Sequence, residues 1–482
     1  MNTFTISSES VALTWVAIPF FLGFVMYLVP KIDRYLALCV TIISAAYALQ
    51  IFATEASLKL QLLDNFGVTL IIDQLSAYFI LTNALVTTAV IFYCWHSSKS
   101  AFFYAQMIIL HGSLNAAFAC ADFISLYVAL EVSGIAAFLL ITYSRSDRSI
   151  WVGLRYLFVS NIAMLFYLVG AVVAYQTNQS FAFSALQGAP PEAVALLFMG
   201  LLVKGGVFVS GLWLPLTHSE SETPVSALLS GVVVKAGVYP LVRCALMVQE
   251  VGPIVRVFGV GAAFLGVFYA IFERDTKRML AWSTISQLGW ILAAPAVGGF
   301  YALAHGLVKS ALFLIAGNLP SRDIKELQQK PVDSRIWIAL VIASLSISGF
   351  PLLAGFGAKI STLKNLVSWQ EIAMNIAAVG TAIIFARFFF LPRGAKENTR
   401  PGFWSSVILL LGALLAASVF YLEAYTPFNM LKAIAIISVG ALIYLLIFRR
   451  TAFKLPRLLE QFEHLIGVMT LVSILLYWMA LA

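Results

Sequence analysis

The sequence predicts an all-α, polytopic membrane protein of about 14 to 16 transmembrane helices, and three observations carry that prediction. Sixty-one per cent of its 482 residues are hydrophobic. Only 11% are charged, against roughly 25% in a soluble domain. The apolar residues also gather into runs of about 20, the length that crosses a bilayer. A water-soluble protein is thereby excluded. Cys39, Cys94, Cys120 and Cys244 show no paired spacing, which excludes a disulfide scaffold. The net charge of +8 does not point to nucleic acid, because the basic residues lie in short clusters between apolar runs, as in membrane loops.

Taken in order, the apolar segments centre near residues 20, 44, 83, 110, 133, 164, 204, 236, 262, 287, 309, 350, 381, 412, 439 and 473. The first lacks a basic leading region and carries Glu9 there, so it is expected to be a span and not a cleavable signal. Loop charges set the orientation. Twenty basic residues, from Lys31 and Arg34 through Arg155, Lys277 and Arg335 to Lys396, Arg450, Lys454 and Arg457, fall on one side. Four, namely Lys59, Arg256, Lys364 and Lys432, fall on the other. The positive-inside rule places the first group in the cytoplasm and both termini outside.

Six basic residues then remain inside apolar segments: Lys204, Lys235, Arg243, Lys309, Lys359 and Arg387. His305 joins them, with the acids Asp73, Asp122 and Glu131. A lysine at the bilayer centre costs about 2.5–3.5 kcal/mol, so it persists only where it faces partners or water. Arg387 is close enough to a basic loop to snorkel. Asp73 and Asp122 are expected at helix ends, and Asp73 and Arg243 are structural or pathway charges. Glu131, Lys204 and Lys235 are placed at similar depth in separate segments, as an ion pair pinning two helices or as a chain of ionisable groups. Burial disfavours the charged amine and a nearby carboxylate favours it, so such a lysine can gain and lose a proton. His305 and Lys309, four apart, share one helix face, and histidine titrates near neutrality.

Helix breakers accompany two of these lysines. Gly205, Gly206, Gly211 and Pro215 follow Lys204, while Gly349, Pro351, Gly355 and Gly357 precede Lys359. Interrupted segments in corresponding halves mark the ion pathway of inverted-repeat transporters. Counting segments gives N-terminal helices over 1–100, a five-helix repeat over 101–248, a second, inverted one over 249–392, and C-terminal helices over 393–482. Segments seven and twelve, the fourth in each repeat, are the broken ones. No phosphate loop indicates an ATPase, no cysteine cluster could hold an iron–sulfur centre, and no catalytic, cofactor-binding or metal site is predicted.

Three stretches carry a family resemblance. WLPLTHSESETPVSALLSGVVVKAGVYPLVR from Trp213, and ERDTKRMLAWSTISQLGW from Glu273 followed by YALAHGLVKSALFLIAGN, resemble the signature of proton-conducting antiporter-like membrane subunits. Such subunits occur in respiratory complex I, membrane-bound hydrogenases and Mrp-type cation/proton antiporters. IDQLSAYFI from Ile72 is similar to their outer-side element. The likeness spans roughly residues 70 to 390. It implies that Glu131 and Lys204 are the coupled pair, that Lys235 links two half-channels, and that His305 and Lys309 are polar relay positions. It also implies that Lys359 is the terminal ionisable residue on the broken twelfth helix and His218 part of the cytoplasmic tract. Glu220 and Glu222 depart from the family pattern in that tract, and two extra C-terminal helices have no counterpart in its fourteen.

The resulting expectation is a proton-translocating subunit, not itself an enzyme, of a multisubunit Mrp-like Na⁺(K⁺)/H⁺ antiporter in the bacterial cytoplasmic membrane. Its partners would be other membrane subunits, protons and Na⁺ or K⁺, with no cofactor. The alternatives are a pump subunit of a complex I-like oxidoreductase or membrane hydrogenase, a subunit coupling proton flux to inorganic-carbon uptake, and a non-conducting scaffold.

Overall fold

The computed structural model describes residues 8–55, 57–63, 66–394, 399–449, 455 and 461–481. All sixteen segments read from the sequence are helical. The chain begins with α1 (Ser8–Leu28), α2 (Asp33–Thr54), α3 (Gln74–Cys94), α4 (Ala101–Ala119), α5 (Phe123–Ile141) and α6 (Asp147–Asn178). The seventh segment is split into α7 (Pro191–Gly205) and α8 (Leu214–Glu220), and the eighth comprises α9 (Thr223–Leu228), a π-turn (Leu229–Val233) and α10 (Lys235–Met247). Then follow α11 (Gly252–Phe272), α12 (Thr276–Ala293), α13 (Gly298–Ala316) and the short loop helix α14 (Ile324–Leu327). The twelfth segment is split into α15 (Ser334–Ser348) and α16 (Ala354–Lys364). The chain closes with α17 (Ser368–Phe389), α18 (Phe403–Ala417), α19 (Pro427–Ile443) and α20 (Phe462–Leu481).

Twelve of the described helical segments are long and apolar enough to cross a membrane, and the bent α7–α8 region adds a thirteenth. The other three are α4, α12 and the α15–α16 pair. The first half of the last pair, α15, is apolar but short, whereas α12 is polar for a reason of packing. Every residue of α12 is buried, Lys277, Arg278 and Gln287 included, so this helix meets protein on all sides and need not suit lipid. The same holds for α13, buried from Gly298 to Ala316 and packed between α3, α9, α12, α15, α16 and α18.

Aspartates fix the face opposite the basic loops. Asp73 caps α3 and Asp122 caps α5, each accepting from the backbone N–H three residues on, the usual N-cap arrangement. Asp122 also accepts from Thr69 N at 2.7 Å. That bond ties down a hairpin of β1 (Leu58–Gln61) and β2 (Thr69–Ile72), with Leu58 opposite Ile72. This hairpin departs from the all-helical expectation. The first four helices share a buried polar cluster. His111 lies 2.9 Å from Ser44 Oγ and 3.3 Å from Thr87 Oγ1, and Asn83 donates to Asn115 at 2.8 Å.

Four charge placements are corrected, the first two being Lys277 and Arg278, counted as loop charges but buried in the first turn of α12. Arg155, counted among the loop charges, lies two turns inside α6 and is buried, because that helix begins at Asp147 and not after the basic cluster. Arg387 does not snorkel to water. It is buried and donates to Ile271 O at 2.6 Å and Glu273 O at 2.9 Å, satisfying carbonyls that the end of α11 leaves without helical partners. Lys396, Arg450, Lys454 and Arg457 lie outside the described residues.

Candidate functional site

The two broken helices end their first halves in the same way. Gly206 closes α7 with φ 64° and Gly349 closes α15 with φ 90°, a left-handed conformation in which glycine carries no steric penalty. Each break exposes the negative end of a half-helix, which favours a cation. Lys204 occupies the last turn of α7. Lys359, in α16, donates from Nζ to Ser348 O at 3.2 Å, the terminal carbonyl region of α15, and lies over the Trp290 ring at 5.1 Å.

Lys204 and Glu131 do not form a direct ion pair. The Lys204 amine donates to Ser160 Oγ on α6 at 2.8 Å. Glu131 Oε1 is buried without a hydrogen-bond partner, although Glu131 stands one turn before Gly134 on α5, where a Cβ would lie 2.7 Å from the amine. Lys235 opens α10 at the π-turn. Its amine donates to Gly231 O in that turn and lies 3.3 Å from His305 Nδ1. The Lys235–His305 contact thus joins the start of α10 to α13. One turn further, Lys309 donates to Leu280 O at 2.8 Å and lies over the Phe385 ring at 5.4 Å. His305 Nε2 is buried and unpartnered, as are the Ser283 and Ser286 hydroxyls of α12 and those of Ser344 and Ser346 on α15. A buried donor or acceptor without a partner is costly.

Toward the basic face, His218 is fully buried on α8, stacked on Phe313 at 4.7 Å, with neither ring nitrogen hydrogen-bonded. The two acids that depart from the family pattern are both engaged. Glu222 pairs with Lys99, and Glu220 lies 3.7 Å from Arg148. Beside them a cavity of about 440 Å³ runs from exposed His96 and Arg400 down to buried Lys277, whose amine donates to Ser221 O at 2.8 Å. Toward the opposite face, Arg243 grips Asp73 through two bonds of 2.5 and 2.7 Å. Burial of the Asp73 carboxyl opposes its ionisation, but Arg243 and the Ser76 N–H outweigh that and hold it below the usual carboxylate range.

Of the residues singled out in the sequence, Lys235 and His305 come into contact, and Lys309 follows one turn along α13 with partners of its own. Lys204 with Glu131 forms a second group and Lys359 stands at the far break. Asp73 and Arg243 pair with each other, away from these groups. Sequence reasoning misses Ser160, which carries no signal in a single chain. It also takes Lys277 for a loop charge, although the residue is buried at the start of α12.

Residues 120–385 match the family model described as the transmembrane region of NADH:quinone oxidoreductases and Mrp antiporters. An NADH-quinone oxidoreductase subunit N from Desulforudis audaxviator is 31% identical over 364 residues, covering 67% of this chain and 72% of that protein. The D-type subunit of a Na⁺/H⁺ antiporter from Alkalihalophilus pseudofirmus is 25% identical over 350 residues, covering 66% and 70%. Among solved structures, a chain of the Mrp complex from a Dietzia species superposes with a TM-score of 0.73 at 20% identity, covering 90% of this chain and 97% of that one. A chain of an archaeal membrane-bound sulfane sulfur reductase gives 0.75 at 20% identity, covering 90% and 99%. The chain therefore belongs to the NADH:quinone oxidoreductase/Mrp antiporter transmembrane family, as a proton-translocating, antiporter-like membrane subunit.

Proposed function

We propose that this chain carries protons for an Mrp-like exchange of Na⁺ or K⁺ against H⁺, as one subunit of a hetero-oligomeric complex in a bacterial cytoplasmic membrane, with its basic face inward. The observation that carries this reading is the 3.3 Å contact between Lys235 and His305, which connects ionisable groups of α10 and α13 inside the bundle. In the relay, Glu131 and Lys204 form the coupled pair, Lys235 and His305 pass the proton between repeats, and Lys309 and Lys359 carry it onward. His218 belongs to the cytoplasmic approach. Glu131 and Lys204 lie close enough to couple, so moving one proton changes the affinity of the next site. The unpartnered serine hydroxyls offer places where water can complete the chain. One charge crossing 100 mV is worth about 2.3 kcal/mol, enough to drive a monovalent cation against a comparable gradient.

The subunit N relative favours a second reading, a pump subunit in a redox-driven complex. Reconstituted complex assayed with Na⁺, K⁺ and Li⁺ gradients separates the two, since the redox pump requires electron transfer and no cation. Lys204→Ala and Glu131→Ala should each abolish proton exchange in everted vesicles while the complex still assembles. Wild-type rates in both variants would refute the relay.

A further inference from the structure

The resting position of Lys204 is unusual for an amine with a carboxylate in reach. A buried carboxylate oxygen without a partner is expensive, and a direct pair with Lys204 would satisfy both groups. Instead the amine sits on a neutral hydroxyl, Ser160 Oγ at 2.8 Å, and Glu131 Oε1 stays unpartnered. The space for this comes from Gly134. It lies three residues after Glu131 on α5, hence on the same face. A Cβ built there would stand 2.7 Å from Lys204 Nζ and 3.7 Å from Ser160 Oγ. The amine therefore lies over bare backbone, between the glycine and the serine. Tyr156, four residues before Ser160 on α6, brings a second buried hydroxyl without a partner.

We propose that Ser160 and Gly134 form a berth for the Lys204 amine, and that the swing between this berth and Glu131 is a positioning step of the relay. The proposal rests on the reading of Lys204 and Glu131 as relay groups. In the berth the amine loses the carboxylate's stabilisation and can give up its proton to the next group. Against Glu131 it holds that proton. The flexible four-carbon stem lets one side chain serve both states without backbone movement. Ser160 and Gly134 do not exchange protons themselves; they set where the amine waits.

Three substitutions in the assembled complex test this. Ser160→Ala removes the hydroxyl. Gly134→Ala occupies the berth, and the atom it displaces is the free end of a flexible side chain, so the fold tolerates it. Ser160→Thr keeps the hydroxyl. Exchange in everted vesicles should fall about tenfold in Ser160→Ala and in Gly134→Ala, the ratio for one hydrogen bond to a charged group. Ser160→Thr should run at the wild-type rate. The Ser160→Ala/Gly134→Ala double variant should be no worse than either single one, because both changes act through one amine. The Gly134→Ala complex should melt no lower than wild type, since alanine favours the helix; a merely structural glycine would instead lose stability with activity. Wild-type exchange in both single variants, with Lys204→Ala inactive, would overturn the berth alone. Wild-type exchange in Lys204→Ala would overturn the relay reading beneath it.

Discussion

Asp73→Asn separates a structural charge from a pathway charge. The Asp73 side chain is 26% exposed and that of Arg243 7%, so the variant leaves an almost buried guanidinium without its counter-charge. Breaking a buried pair costs about 3–5 kcal/mol. Arg243 keeps bonds to Ser76 Oγ at 3.0 Å and to Tyr239 OH at 2.8 Å, and Asp73 is partly hydrated, which reduces the expected loss to about 2–3 kcal/mol. Thermal unfolding of the purified complex, followed by tryptophan fluorescence, should show a midpoint lower by several degrees, while the complex that survives exchanges protons normally. The pH dependence has a definite sign. The Asp73 carboxyl titrates below the usual carboxylate range when folded, so its contribution is complete above the unfolded value near 3.9 and is lost as pH falls through the folded value. The gap between wild type and Asp73→Asn should thus stay constant from about pH 8 to 5 and close below about pH 4. Unchanged stability with abolished exchange would refute the structural reading and make Asp73 part of the pathway.

Lys235→Met should abolish exchange yet leave the complex as stable as wild type or more so, because an apolar side chain of similar volume replaces a buried cation; assay and melting curve are compared on one preparation. Arg387→Met should lower stability by about 2–4 kcal/mol, since two buried carbonyls lose their donor, and unchanged unfolding would show that those carbonyls find other partners. Asn83→Ala, in the polar cluster of the first four helices, should cost about 2 kcal/mol without altering exchange rates at permissive temperature, since that cluster is separate from the proposed relay.

The number of helices and both breaks are legible because they rest on local signals: runs of apolar residues, and glycine with proline beside a lysine. The lysines stand out because a charge inside an apolar run is rare. What the sequence hides is non-local. Nothing near Arg243 names Asp73, 170 positions earlier, and nothing near Lys204 names Ser160. Arg387 misleads because distance along the chain to a basic loop says nothing about the carbonyls of α11 that it meets first. Arg155 reads as a loop residue because a basic cluster runs into a helix start. The π-turn before Lys235 has no composition of its own; it appears only once α9 and α10 are packed against their neighbours, α9 on α3 and α13 and α10 on α7.

The last helix has a consequence for how the complex can be put together. α20 is seated on α7 and the turn after its break, and it touches α11, while α19 lies against α17. Leu465, Met469, Val472 and Leu476 form the buried stripe that makes the contact. A neighbour approaching along that flank meets α20 before it can meet the broken helix. The chain thus covers its own broken helix on that side, and the outer face of α20, with Leu471, Ile474 and Trp478 exposed, is what it presents there in place of α7.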